Sequence, residues 1–184
     1  MPPNFSETKN SFAPASLNFF LDLIFPPICK ICGRAGSWLC AFCSCSLRFN
    51  PFQLCPDCRR PSPNGFTHAA CRKRYGLDGV LVAGEFGQLQ ELVHAFKYQN
   101  HKNLSVELAE FLARFLDGFS YLEYFSSFEL VPMPLHKRRQ RFRGFNQSEL
   151  LAERLSRLAP LVLRKELLSQ HPRPGGRGLL PAKA

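Results

Sequence analysis

The sequence lacks an apolar run long enough to cross a bilayer, and no secretion signal is visible in it. Its most apolar early stretch, residues 17–25, contains Asp22 and ends at Pro26 and Pro27. A membrane-spanning helix needs about 20 apolar residues, and a secretory signal needs a basic leader and a small-residue cleavage site. We therefore expect a cytoplasmic protein whose thiols stay reduced.

Acidic residues are scarce in the last third of the chain. From Val131 onward there are twelve Lys and Arg against three Asp and Glu, whereas the preceding residues are nearly balanced, so the net charge of +10 arises there. A basic segment favours phosphate-bearing partners, but it does not select among nucleic acid, nucleotide and phosphorylated sugar. The 45% apolar content is sufficient for a buried core and excludes gross disorder.

Changes in composition divide the chain into four segments. They are a flexible tail (1–16), an amphipathic helix with a cysteine-rich module (17–76), a globular segment (77–165) and a tail rich in Pro, Gly and Arg (166–184). In the second segment, Leu17, Phe20, Leu21 and Ile24 recur at helical spacing and predict a short helix that packs on its own protein. The last segment has no apolar period, and we expect it to be disordered or translated out of frame.

The globular segment has the pattern of an α/β protein. Apolar spacing predicts strands at 79–86 and 129–135 and helices at 89–96, 104–118 and 146–158. Strands that alternate with helices favour an α/β sheet. The predicted fold class is therefore α/β, with a metal-stapled module in front of it.

Seven of the eight cysteines and one histidine form four pairs, each with two residues between its members. The pairs are Cys29 and Cys32, Cys40 and Cys43, Cys55 and Cys58, and His68 and Cys71. Two intervening residues let a tight turn direct both side chains at one ion, and two such turns complete a tetrahedron. Gly33 directly follows the first pair, where such a turn often needs positive φ. The spacing predicts two structural zinc ions, without which the module would be unfolded.

Several alternatives remain open for these cysteines. The simplest assignment joins the first two pairs on one ion and the last two on the other, but only seven residues separate the first two pairs. A crossed arrangement, first pair with third and second with fourth, is therefore also compatible with the spacing. Cys45 is either a free thiol or a ligand in place of Cys43, and a disulfide framework would suit a secreted chain instead.

The basic segment also has a distinctive arrangement. Residues 131–135 predict the end of a strand, which is followed by a cationic loop, Gly144 and a helix that starts at Asn146 or Ser148. Backbone amides at a helix start bind anions, and Arg adds forked hydrogen bonds suited to phosphate. The segment therefore predicts a phosphate site, although a solvated basic loop that touches nucleic acid would look similar.

The order of these motifs resembles the ComF family of bacterial competence proteins. The resemblance covers roughly residues 17–165, from the entry at 21–27 through the cysteine pairs to 92–98, the Val-Pro-Met-Pro-Leu strand at 131–135 and Arg-Gly-Phe-Asn-Gln at 143–147. It implies a double zinc ribbon followed by a type I phosphoribosyltransferase-like α/β domain. It also implies a role in uptake or processing of transforming DNA, or in nucleotide metabolism.

The resemblance implies roles for single residues as well. Arg143 would be the main phosphate ligand, Gly144 would allow close backbone approach, and Asn146 and Gln147 would open the helix beside the pyrophosphate of phosphoribosyl pyrophosphate, which is bound with magnesium. Lys97 would reach an anionic group or serve only as a helix-end lysine. We expect His94 to be packed or solvent-facing.

The sequence also departs from the family. Full-length members continue with two adjacent aspartates and a Thr-Thr-Gly loop, and neither motif occurs in these 184 residues. We therefore expect weak or absent transfer, because the phosphosugar must be held on both sides of the reacting carbon. The alternative functions are a non-catalytic adaptor, which binds single-stranded DNA or a competence helicase through the ribbons and the basic loop, and a nonfunctional gene remnant.

Overall fold

The computed structural model describes residues 26–72, 76–170 and 179–181. The helices are α1 (Ala41–Ser46), α2 (Phe86–Tyr98), α3 (Leu104–Gly118), α4 (Tyr121–Tyr124), α5 (Lys137–Arg143) and α6 (Gln147–Leu158). The strands are β1 (Glu129–Leu130), β2 (Val162–Leu163), β3 (Leu168–Gln170) and β4 (Leu179–Pro181). None of the helices in this part of the chain combines the length and apolar character needed to span a bilayer. The helix predicted within residues 17–25 and the tail at 1–16 lie outside the described residues.

Helix α3 is the centre of the core. Leu104, Leu108, Phe111 and Phe115 follow one another at spacings of four, three and four residues, so they share one face, and all are buried. This face packs mainly against α6 and also meets α2 and α4. The predicted helices at 104–118 and 146–158 are therefore present, within one residue of the expected bounds.

The cysteine-rich module and the helices share one hydrophobic core. Cys29, Leu39 and Cys43 belong to the same buried cluster as Leu92 and Phe96 of α2. Cysteine behaves as a small apolar residue when it is buried. The part of the cysteine-rich module that contains Cys29, Leu39 and Cys43 is thus packed directly onto the globular segment.

The sheet is much smaller than the alternating pattern predicted. Strand β1 pairs in parallel with β2, with Glu129 opposite Val162, and covers only two of the seven residues predicted at 129–135. Strands β3 and β4 form a separate antiparallel pair. The expectation of no regular structure after residue 165 therefore does not hold for the six residues of β3 and β4.

The strand predicted at 79–86 is not formed as a regular strand. Isolated bridges at Gly79 and Gly84 replace it. Its polar backbone groups bond to the cysteine-rich module, because the Gln53 amide accepts from the Val82 N–H (2.9 Å) and donates to the Val82 carbonyl (3.1 Å). A side chain thus takes the place of a neighbouring strand, an arrangement that apolar alternation cannot reveal.

The cationic loop predicted after residue 135 is instead helix α5. His136 caps its start, since its Nδ1 accepts from the Arg138 N–H at 3.2 Å, and Gly144 ends it with φ of 75°. No residue of α5 is buried. The helix was missed because it has no apolar face, so its sequence has no apolar period.

Replacing Gly65 by Ala should destabilise the contact between the cysteine-rich module and residues 79–84. Gly65 has φ of 68°, and an added Cβ would lie 2.1 Å from the Val80 carbonyl oxygen. The left-handed backbone alone costs a non-glycine residue about 1–3 kcal/mol, and the clash adds to this cost. Gly87→Ala is the control, because Gly87 lies in α2 with open space around it. Urea unfolding should give a lower midpoint for Gly65→Ala only. Equal midpoints for the two variants would contradict the close approach of Gly65 to Val80.

Candidate functional site

The first metal group is formed by a turn and a short helix. Cys29 and Cys32 lie in the turn, Cys40 directly precedes α1, and Cys43 lies within it. All four sulfur atoms lie within 4.8 Å of one another, and the sulfurs of Cys32 and Cys40 are 3.6 Å apart. The Cys40 N–H donates to the Cys29 sulfur at 3.5 Å. The sequence therefore folds so that backbone N–H groups and three other thiols surround the Cys29 sulfur.

The second metal group repeats this arrangement with a histidine. Cys55, Cys58, His68 and Cys71 also have their ligand atoms within 4.8 Å of one another. The sulfur of Cys58 lies 3.3 Å from Nδ1 of His68, so this nitrogen faces the centre of the group. This grouping of the ligand atoms agrees with the simplest assignment of the four pairs and does not agree with the crossed arrangement.

The two cysteine turns share one backbone shape. Gly33 (φ 74°) and Arg59 (φ 58°) occupy the same place, directly after the second cysteine of each turn. Each donates its N–H to the carbonyl of the first cysteine, at 2.9 Å for Gly33 and 3.0 Å for Arg59. The glycine was recognisable in the sequence, whereas Arg59 adopts the same left-handed conformation without a glycine to signal it.

The thiols in each group differ in acidity. Burial raises the pKa of the Cys29 thiol, but backbone N–H groups directed at its sulfur outweigh burial and lower the pKa to about 6. The same balance lowers the pKa of Cys55 to about 6. Burial, together with neighbouring thiols, raises the pKa of Cys43 and of Cys71 to about 12. Each group thus combines one thiol made more acidic by backbone amides with one made less acidic by burial, and both must be deprotonated to bind a cation.

These donor sets fit zinc in structural sites. A tetrahedral zinc ion with Zn–S bonds of about 2.3 Å places its sulfur ligands about 3.7 Å apart, close to the separation of Cys32 and Cys40. Four protein ligands also leave no open coordination position for a reacting water. Zinc bound here would therefore hold the chain together and would not take part in chemistry.

Cys45 lies outside both groups. It is exposed on α1, and Cys43 is the ligand donor of that helix. All eight cysteines are free of disulfides. The free-thiol interpretation of Cys45 therefore fits the structure, and the disulfide framework does not.

A small basic cleft lies between the end of α2 and the end of α5. Its volume is about 170 Å³, and it is lined by Lys97, Tyr98, Asn100, Arg141, Phe142, Arg143 and Gly144. Lys97, Arg143 and Gly144 were predicted from the sequence to contact an anion, and the fold brings all three together. Tyr98 and Asn100 were missed, although Tyr98 is adjacent to Lys97 in the recognised motif.

Two residues, Tyr98 and Gln147, hold the Arg143 side chain in the cleft. Its guanidinium carbon lies 5.0 Å from the centre of the Tyr98 ring, and Nη2 is 3.5 Å from the Tyr98 hydroxyl. Nη1 donates to Oε1 of Gln147 at 3.2 Å. The charge is therefore oriented before any ligand arrives, which reduces the entropy lost on binding.

Asn146 and Gln147 support the cleft and do not line it. Asn146 caps α6, because its Oδ1 accepts from the Ser148 N–H at 3.1 Å, and its amide nitrogen donates to the Met133 carbonyl. Gln147 is 6% exposed and orients Arg143, while its Nε2 is buried with no hydrogen-bond partner in the described residues. His94 is exposed beside Tyr98, as expected for a solvent-facing residue.

The fold and these sites define a protein with two zinc-ribbon-type clusters and a basic cleft. Its curated relatives include DNA utilization protein YhgH of Escherichia coli K12, which is 30% identical over 150 residues, 73% of this chain and 63% of the relative. Competence protein ComFC of Bacillus subtilis 168 is 31% identical over 130 residues, 65% of this chain and 52% of the relative. The chain thus spans less than two thirds of the length of these relatives.

No protein-family model matches the chain, and no solved structure matches it at a significant level. The relatives and the two cysteine groups nevertheless agree with the motif order seen in the sequence. The resemblance to the ComF family is confirmed, and the chain is a homologue of its members.

The purified protein should contain two zinc ions per chain. Cys32→Ser and Cys58→Ser should each lose one ion, because each removes one of four ligands. Cys45→Ser is the matched control and should keep both. Native mass spectrometry and elemental analysis measure the count, and loss of an ion in Cys45→Ser would contradict the ligand assignment.

Proposed function

We propose that the chain is a ComF-type, zinc-stabilised, phosphoribosyltransferase-like protein that acts in DNA uptake or nucleotide metabolism in the cytoplasm. The names of its relatives, which refer to DNA utilization and competence, support the biological setting. The basic cleft supports the ligand class. In this proposal the cleft receives the pyrophosphate group of phosphoribosyl pyrophosphate together with magnesium.

The single observation that carries the proposal is the preoriented guanidinium of Arg143. Lys97 and Arg141 add two further cationic side chains around a cavity of about 170 Å³. Clustered cations with forked donors suit a polyanion with several oxygen atoms. Gln147 does not line the cavity, but its Oε1 accepts from Nη1 of Arg143 and so keeps the guanidinium oriented.

The role proposed for the cleft is to bind the pyrophosphate group, and it does not include transfer of the phosphoribosyl group. These 184 residues contain no pair of adjacent aspartates and no Thr-Thr-Gly sequence. Transfer needs the sugar phosphate to be held on both sides of the reacting carbon, whereas the cleft supplies groups for one side. We therefore assign these residues the role of holding the anion, with weak or absent turnover.

Arg143→Ala should weaken pyrophosphate binding by about tenfold or more, because hydrogen bonds to charged groups contribute about 1.5–3 kcal/mol each. Arg157→Ala is the matched control, since it removes the same charge from an exposed position on α6 outside the cleft. Isothermal titration with pyrophosphate, and with phosphoribosyl pyrophosphate plus magnesium, measures both variants. Equal affinities for the two variants would contradict the proposed site.

A second candidate function is binding of single-stranded DNA along α5, as part of an adaptor that also meets a helicase. The observation that favours it is an exposed aromatic ring within a row of cations, since Phe142 is 80% exposed between Arg141 and Arg143. Aromatic rings that stack on bases, together with cations that follow the backbone, are typical of single-strand binding.

Replacing both Arg141 and Arg143 by Ala should lower the affinity for an oligothymidylate and flatten its salt dependence. The slope of log K against log salt should fall by about 0.7 for each DNA phosphate that the variant no longer neutralises. Phe142→Ala should reduce DNA affinity by removing a stacking ring. Fluorescence anisotropy across a salt series measures both effects. An unchanged slope in the double variant would remove this candidate.

A further inference from the structure

The two metal groups are placed differently relative to the basic cleft. Cys29 and Cys43 of the first group belong to the main buried cluster, together with Phe96 of α2. Phe145 packs against the same cluster, with its ring centre 5.6 Å from that of Phe96. Phe145 directly follows Gly144, so the first metal group and one wall of the cleft rest on a shared core.

A second connection passes through Trp38. This residue lies in the gap between the two cysteine pairs of the first group, and its carbonyl accepts from the Lys30 N–H at 3.0 Å. Its ring centre lies 3.9 Å from that of His101, and Nζ of Lys30 covers the ring at 5.0 Å. Trp38 therefore connects a ligand-bearing turn to the segment between α2 and α3.

His101 is adjacent to Asn100, which lines the cleft. Asn100 has φ of 57°, and its Oδ1 is 3.7 Å from the place a Cβ on Gly144 would occupy. On the other side of His101, Nζ of Lys102 lies 5.5 Å from the centre of the Phe145 ring. His101 therefore lies between two residues that approach this end of the cleft, Asn100 beside Gly144 and Lys102 beside Phe145.

The second metal group contacts other parts of the molecule. The Val80 N–H donates to the Gly65 carbonyl at 3.0 Å, the Phe66 ring meets Tyr124, and the Tyr121 hydroxyl lies 3.5 Å from Oδ1 of Asn64. These contacts lead to residues 79–84 and α4. No residue between Cys55 and Cys71, a range that the structure describes throughout, lines the basic cleft.

We propose that the first metal group positions the anion-binding cleft through Trp38 and His101, and that the second metal group does not. Trp38 and His101 are positioning residues, since neither lines the cleft. The identity of the ligand rests on the proposed function, whereas the coupling between the first ribbon and the cleft does not. The inference predicts an asymmetry between two sites whose ligand spacing is nearly the same.

The test compares Cys32→Ser with Cys58→Ser in the full chain. Both residues are exposed, and each is the second cysteine of its turn, so the two variants are matched. Cys32→Ser should weaken pyrophosphate binding by about tenfold or more, whereas Cys58→Ser should stay within about twofold of wild type. Trp38 is the only tryptophan of the chain, so the tryptophan fluorescence comes from this residue alone. Because Trp38 is coupled to the cleft, its fluorescence should respond to pyrophosphate in wild type and in Cys58→Ser.

His101→Ala tests the connection without touching a metal ligand, in case Cys32→Ser fails to fold. It should keep two zinc ions and still weaken pyrophosphate binding severalfold, and His101→Phe should restore affinity by restoring the ring contact with Trp38. Amide hydrogen exchange of residues 97–102 and 137–146 should increase in His101→Ala and Cys32→Ser, but not in Cys58→Ser.

The outcomes separate the two proposals. If the wild-type chain does not bind pyrophosphate, the proposed function fails, while hydrogen exchange still decides the coupling. Equal effects of Cys32→Ser and Cys58→Ser on exchange around the cleft would overturn the coupling. Unchanged exchange in His101→Ala would overturn it as well, even if pyrophosphate binds tightly.

Discussion

The arrangement of four ligand atoms around one point is the constraint on which the N-terminal half depends. Residues 26–72 contain one α-helix of six residues and no regular strand among the parts described, so local hydrogen bonding alone cannot stabilise them. Structural zinc contributes about 10–16 kcal/mol of apparent folding free energy in small zinc modules, which is as large as the net stability of a typical domain. Occupied ribbons thus become rigid parts on which other segments can pack.

The cleft depends on residues outside its own helix. Its principal cation, Arg143, comes from a helix with no buried residue, so α5 cannot fix its own position by packing. The position is set by its neighbours: Tyr98 at the end of α2, Gln147 at the start of α6, and the glycine that ends α5. Anchoring a solvated basic helix in this way keeps its charge available to ligand while limiting the conformations that must be lost on binding.

The sequence was informative where the determining interactions are local. Two-residue spacing identified the residues whose ligand atoms the fold groups together, and the apolar period identified α3, whose bounds follow from the run of buried residues on one face. It was uninformative where distant groups decide the structure. The segment at 79–86 has the composition of a strand, but Gln53 occupies its hydrogen-bonding groups, and no local pattern records a partner 29 residues away. For the same reason the sequence left a choice between two pairings of the cysteine turns and did not predict the position of Trp38.

The two ligand classes considered for the basic region differ in what they require of it. A free pyrophosphate needs several donors that converge on one small volume, which the Arg143 side of the cleft provides. A single strand needs cations repeated along a path and an accessible ring, which the exposed face of α5 with Phe142 provides. Both requirements meet at Arg143, so loss of that residue alone cannot distinguish them. The distinction lies in its neighbours: Gln147 orients the Arg143 guanidinium for the convergent site, whereas the Phe142 ring can stack on a base because it is in solvent.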